Sequence, residues 1–157
     1  MNNISRSGDF GSPEHDGNRM YRRWRDRGED IFVSELLARG DGNEMYKALM
    51  RIPHWSMKAR DALLAGIVAS KDPDGLTLAY EYYRGMPKKV RGAFVDAAIE
   101  SRNPRIAYHF LGSKHRLPMA KRKVLLKIVA SDEFYAECTR EFSRQITEDE
   151  RAELGKT

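Results

Sequence analysis

Cysteine is all but missing from this chain: Cys138 stands alone, so no internal disulfide can form. A chain of this length does not need one to fold, and a reducing compartment, the cytoplasm, is the expected location. Long apolar runs are missing too. The longest extends from Ala62 to Ala69, eight residues with Gly66 counted, against the roughly 20 that a membrane helix needs. The start, Met1-Asn2-Asn3-Ile4-Ser5-Arg6, has no apolar signal core, so secretion is not expected. Metal-ligand spacing is absent. The histidines are His15, His54, His109 and His115; no two stand four apart, and none joins Cys138 in a cluster. There is no Gly-x-Ser-x-Gly, no glycine-rich loop after a strand, and no evident base for Cys138. Asp132 and Glu133 sit at a helix start, where capping accounts for them. The expectation is a protein without metal, cofactor or catalysis.

What is present reads as globular. The 157 residues suit one domain with a real core, at 41% apolar and 32% charged residues. Net charge is +5, modest until the charges are placed in space.

Residues 1–17 hold Gly8, Gly11, Pro13 and Gly17 with few apolar groups, and read as a flexible arm before a single domain at 18–157. A short helix is expected over Asn18–Arg27, with Tyr21 and Trp24 on one face. From residue 29 apolar residues take helical spacing, broken by turn signals. Helices are expected over Glu29–Arg39 and, capped by Asn43, over Glu44–Arg51. Further helices are expected over Met57–Ser70, from Asp72-Pro73 to about Gly85, and over Lys88–Ser101. Asn103-Pro104, Pro118 and Ser131-Asp132 open the next ones, and Thr147-x-x-Glu150 is a capping-box start.

These segments repeat. Arg60, Arg91 and Arg122 stand 31 apart, as do Pro87 and Pro118, Ser70 and Ser101, and Asp72-Pro73 and Asn103-Pro104. Leu78-Ala79-Tyr80-Glu81-Tyr82 also resembles Ile106-Ala107-Tyr108-His109-Phe110. Such agreement indicates internal repetition, with units near 29–52, 56–86, 87–117 and 118–146, the first degenerate as end units are. In the helix from Lys88, Val90, Phe94, Ala97, Ala98 and Ser101 form an apolar stripe that Val95 and Ile99 widen, as a helix between neighbouring units requires. Over roughly 29–144 the pattern resembles the α-solenoid class of helical-hairpin repeats, the HEAT-like and tetratricopeptide-like arrays. The resemblance implies an all-α fold, a right-handed solenoid-like stack of about four hairpins with a closing C-terminal helix. An irregular helical bundle is the alternative.

Stacking of that kind puts the starts of the first helices along one edge. That edge collects Lys58, Arg60, Lys88, Lys89, Arg91, Lys121, Arg122 and Lys123, with Arg51, Arg84, Lys114 and Arg116 from the preceding helix ends and loops. The opposite edge mixes Asp72, Asp74, Asp132 and Glu133 with Lys71, Arg102 and Arg105. Cations in a first helical turn oppose the helix dipole, by about 0.3–1 kcal/mol each. Three starts that break this rule point either to structural partners or to an anion site. Arg60, Arg91 and Arg122 are as regular as the repeat itself, so a ladder of pairs with acids of neighbouring units is the competing account; the less regular lysines are the better contact residues. Trp24, Trp55 and Tyr83 are candidate aromatic contacts. Packing is the alternative for each, and for Trp55 a cation–π contact with Arg60 is a further one. The functional expectation is a non-catalytic adaptor or inhibitor. Its basic edge would dock on an acidic protein or nucleoprotein, with no membrane and no metal involved. Direct, sequence-nonspecific binding of DNA or RNA is the alternative.

Overall fold

The computed structural model of the chain describes residues 13–143 and 146–155, with side chains from residue 18 onward. Most of the arm expected over 1–17 lies outside the described residues; its last part opens the first helix. Among the described residues there are ten helices and no strand. They are α1 Pro13–Arg27, α2 Glu29–Arg39, α3 Gly42–Arg51, α4 Met57–Ser70, α5 Pro73–Tyr82, α6 Lys88–Ser101, α7 Pro104–Gly112, α8 Met119–Val129, α9 Glu133–Phe142 and α10 Glu148–Leu154.

Turn chemistry sets these boundaries. Asp41, Asp72 and Asn103 stand 31 apart, and each accepts backbone N–H bonds at the start of α3, α5 and α7. The residue before each is left-handed: Gly40 (φ 67°), Lys71 (φ 51°) and Arg102 (φ 49°). In the two later turns a serine one residue earlier braces the bend. Ser70 Oγ donates to Ile67 O and accepts from Asp72 N; Ser101 Oγ does the same with Ala98 O and Asn103 N. The cap of α3 is thus Asp41 rather than Asn43, which lies inside the helix. The fourth turn departs from this plan. Ala130, after α8, is right-handed, and the cap Asp132 follows Asn103 by 29 residues.

A left-handed lysine or arginine is strained where glycine is not. Arg102 is exposed and makes no ion pair among the described residues. Arg102→Gly is expected to stabilise the fold by about 0.5–1 kcal/mol, read as a higher urea midpoint at unchanged m.

The 31-residue period reaches the core from α2 through α8 and shifts only at α9, where Phe142, 31 residues after the buried Leu111, is exposed. Phe32, Leu63, Phe94 and Leu125 are all buried, as are Val33, Leu64, Val95 and Leu126, and Leu36, Ile67, Ala98 and Val129. The second helices keep the same register, through Met45, Leu76 and Ala107 and through Leu49, Tyr80 and Leu111. This corrects the alignment drawn from sequence, which set Tyr80 against Tyr108. That similarity is out of register by three residues; Tyr80 stacks on Phe110 instead, at 4.2 Å. Residues 29–52 share with the next two units the Asp41 cap, the left-handed residue before it and the core positions, and lack the bracing serine and the regular arginine.

Contacts between helices follow the period. Each of α2, α4 and α6 packs against the helix two further on, ending at α8. The series α1, α3, α5, α7 and α9 does likewise, and α10 packs on α9. Polar ties mark the directions. Glu29 accepts the Ser56 N–H at 2.8 Å, joining the starts of α2 and α4. Lys71 reaches Glu100 at 3.2 Å, joining the ends of α4 and α6, and Arg105 reaches Asp74 at 2.8 Å, joining the starts of α5 and α7.

Candidate binding surface

The three regular arginines occupy one position, the fourth residue after the cap, and their N–H groups bond to Ser56 O, Pro87 O and Pro118 O. All three are half-buried. They do not build a uniform ladder across units. Arg60 bonds its sequence neighbour Asp61 through Nε and Nη2. Arg122 reaches Glu150 of α10 at 3.1 Å. Arg91 makes no ion pair, and its Nε is buried without a hydrogen-bond partner among the described residues. Arg151, four residues after the cap Thr147, fills the equivalent place in α10. Its guanidinium donates to the carbonyls of Arg140 and Ser143 at the end of α9. A cation there complements the negative end of that helix. Regularity at this position therefore goes with structural ties at three of the four sites.

Burial shifts the groups around Arg91. It pushes the Tyr80 phenol up to about 12, with the Arg91 charge partly offsetting it and Glu81 adding to it. His115 is held below the usual imidazole range by burial and by Arg91, with Glu81 opposing. At Glu150 burial opposes ionisation. The Thr147 N–H, the Arg122 charge and further hydrogen bonds from Thr147 and Arg122 prevail, and its carboxyl lies below the ordinary value.

The other cations of the edge divide in two. Lys58 lies 3.9 Å from Asp30, Lys114 lies 3.8 Å from Glu81, and Lys121 bonds Asp96. Arg84, Lys88, Lys89, Arg116 and Lys123 are exposed, and none forms an ion pair among the described residues. They sit beside helix starts that carry no acidic residue in the first turn of α4, α6 or α8.

The aromatic candidates behave differently from expectation. Trp55 is a packing residue. It stacks on Phe32 at 6.4 Å, meets Trp24 edge-on, and donates from Nε1 to Ala48 O. It stands 31 before Met86 and 62 before Leu117, both buried, so its place is in the core rather than over Arg60. Trp24 is half-buried in the same cluster. Tyr83 packs against the core, and burial raises its phenol, with Arg60 opposing. Its neighbour Tyr82 is the exposed ring of the pair, at 54%.

Two features of the second-helix face escaped the sequence reading. A groove of about 370 Å³ runs between α5 and α7, with Leu78, Tyr82, Tyr108, His109 and Phe142 in its walls. His109 there is held below its ordinary value by burial and by Arg105, with Asp74 opposing. A second groove, of about 330 Å³, lies between α1 and α3 and is lined by Arg19, Arg23, Lys47 and Arg51. The signal for it was in the sequence: Arg19/Arg23 and Lys47/Arg51 are each one helical turn apart. Only the packing of α1 on α3 brings the two pairs together.

Among the described residues no group of three His, Cys, Asp or Glu could hold a metal ion, and no helix is long and apolar enough to cross a membrane. Comparison with protein-family models, curated proteins and solved structures finds no match.

Proposed function

We propose that the chain is a non-catalytic binding protein, an adaptor or inhibitor, built as a right-handed α-solenoid of about four hairpins closed by α10. It docks on an acidic protein or nucleoprotein surface through the edge where α4, α6 and α8 begin. The two contact series and a 31-residue period that holds from α2 through α8 support the solenoid reading. A stack of this kind offers a rigid extended surface with no inherent chemistry.

One observation carries the docking reading. Arg84, Lys88, Lys89, Arg116 and Lys123 are exposed at this edge and form no ion pair among the described residues, while at the opposite edge Lys71 and Arg105 pair with Glu100 and Asp74 and only Arg102 does not pair. Unpaired cations at helix starts leave the dipole uncompensated, and an acidic partner would relieve it.

The test is affinity capture from the native cell after nuclease treatment, comparing wild type with Lys89→Glu plus Lys123→Glu. Wild type is expected to retain a protein partner in defined stoichiometry that the double variant loses. Equal retention by both would reject the edge as the docking surface.

A further inference from the structure

We propose that the groove between α1 and α3 binds the phosphodiester backbone of a single-stranded nucleic acid, with a base resting on Tyr82. Arg51 belongs to the docking edge as well, but Arg19, Arg23 and Lys47 do not, and the edge variant in the experiment below separates the two readings.

The groove is cationic by construction. Arg19 and Arg23 are one turn apart on α1, and Lys47 and Arg51 are one turn apart on α3. Like charges at that spacing oppose helix formation, and here two such pairs line one groove. None of the four makes an ion pair among the described residues, nor does Arg22, which lines the adjoining cleft with Arg19 and Arg23. Two acids also line the groove: Glu44 pairs with Arg39, and Asp41, the cap of α3, is the one carboxylate there without a cationic partner among the described residues, against four cations. Four unpaired cations around one concavity are a site for a polyanion.

Two features favour a nucleic-acid strand over other polyanions. Arginine forks match phosphate oxygens two at a time. An aromatic platform also lies beside it. Tyr82 is exposed on α5, the helix that packs against α3, at the position 31 residues after Arg51. The same ring also lines the α5–α7 groove. A cationic track running onto an exposed ring is how single strands are held without base readout.

The experiment is fluorescence anisotropy with labelled oligo-uridylate and oligo-thymidylate of about 12 nucleotides and a duplex of the same length, at about 50 and about 200 mM salt. Inorganic polyphosphate serves as competitor. Both single strands are expected to bind at the lower salt, more tightly than the duplex. Any difference between the two reports the 2′-hydroxyl and the base. Lys47→Glu with Arg51→Glu is expected to weaken binding by at least about ten-fold, and to flatten the dependence of log affinity on log salt by roughly 0.7 per charge removed. Tyr82→Ala is expected to weaken the oligonucleotides while leaving polyphosphate unaffected. Lys89→Glu with Lys123→Glu is expected to bind as wild type. If the glutamate pair lowers helicity by circular dichroism, Lys47→Gln with Arg51→Gln replaces it, with a loss of about three-fold or more expected. The proposal is overturned if neither strand binds at the lower salt, if the edge variant loses as much as the groove variant, or if Tyr82→Ala changes nothing. The last outcome would leave an anion site with no selectivity for nucleic acid.

Discussion

Phe94→Ala is expected to lower the unfolding free energy by about 3–5 kcal/mol. Phe94 is fully buried in the middle of α6, and α6 packs against α4, α5, α7 and α8. Removing the ring leaves a cavity bounded by four helices that cannot all move in. The packing of a repeat is held from both sides, so collapse around the void is limited. A domain of this size has about 5–15 kcal/mol to lose, so the variant should fold but melt roughly 6–20 °C lower. Thermal and urea unfolding by circular dichroism measure it, with m-values unchanged if two-state behaviour persists. Phe134→Ala is the matched control. That ring is 65% exposed on α9, and its loss should cost under about 1 kcal/mol. Equal effects from the two substitutions would mean that Phe94 is not enclosed by the surrounding helices.

Gly75→Ala is expected to destabilise the fold as well, for the opposite reason. A methyl group at Gly75 would lie 2.4 Å from the Gly42 carbonyl carbon, 2.6 Å from its oxygen and 2.9 Å from the Asn43 nitrogen. All three are backbone atoms at the start of α3, so no rotamer change relieves the contact. The helices must part, and overpacking of this kind costs about 1–3 kcal/mol or more. Gly92→Ala is the informative control. A methyl group there meets nothing within 4 Å, and alanine is the better helix former by about 0.5–1 kcal/mol, so that variant should gain stability. A chemical-denaturation series on the two variants gives both signs. Stabilisation by Gly75→Ala would show that α3 and α5 do not approach this closely.

Gly75 also shows what a repeat alignment hides. Its equivalent 31 residues on is Ile106, a large buried side chain. The α3–α5 crossing is therefore closer than the α5–α7 crossing, although the caps Asp72 and Asn103 are equivalent. Spacing along the chain reports which residues occupy equivalent places. It does not report how far apart the helices stand there.

Much of the fold was legible because it depends on local chemistry. Asp72-Pro73 and Asn103-Pro104 cap and open helices wherever they occur, and four-unit apolar periodicity marks the buried face. Asn43 misled because Asp41 and Asn43 are both good caps. The choice falls to Asp41, whose place one residue after the left-handed Gly40 matches the bends at Lys71 and Arg102. The likeness of Leu78–Tyr82 to Ile106–Phe110 misled because a helical face recurs every three to four residues, so a three-residue slip still looks amphipathic.

The candidate surface was legible only in part. Exposure of Lys88, Lys89 and Lys123 followed from their irregularity between units. Pairing did not. Lys121 looked like its neighbours, yet α8 sits where it meets Asp96 of α6. Tyr82 and Tyr83 could not be told apart until the end of α5 was known. Helix α5 stops at Tyr82, Tyr83 turns inward as the C-cap, and the exposed ring is the one before it.

By itself the sequence determined the helical class, the 31-residue period and most boundaries, because caps, prolines and apolar spacing act within a turn or two of chain. Tertiary structure alone decided which arginines are tied, which ring faces water, and that Arg19, Arg23, Lys47 and Arg51 share one groove. Those outcomes depend on distances between helices far apart in sequence, and charge pairing and burial follow such distances rather than residue type.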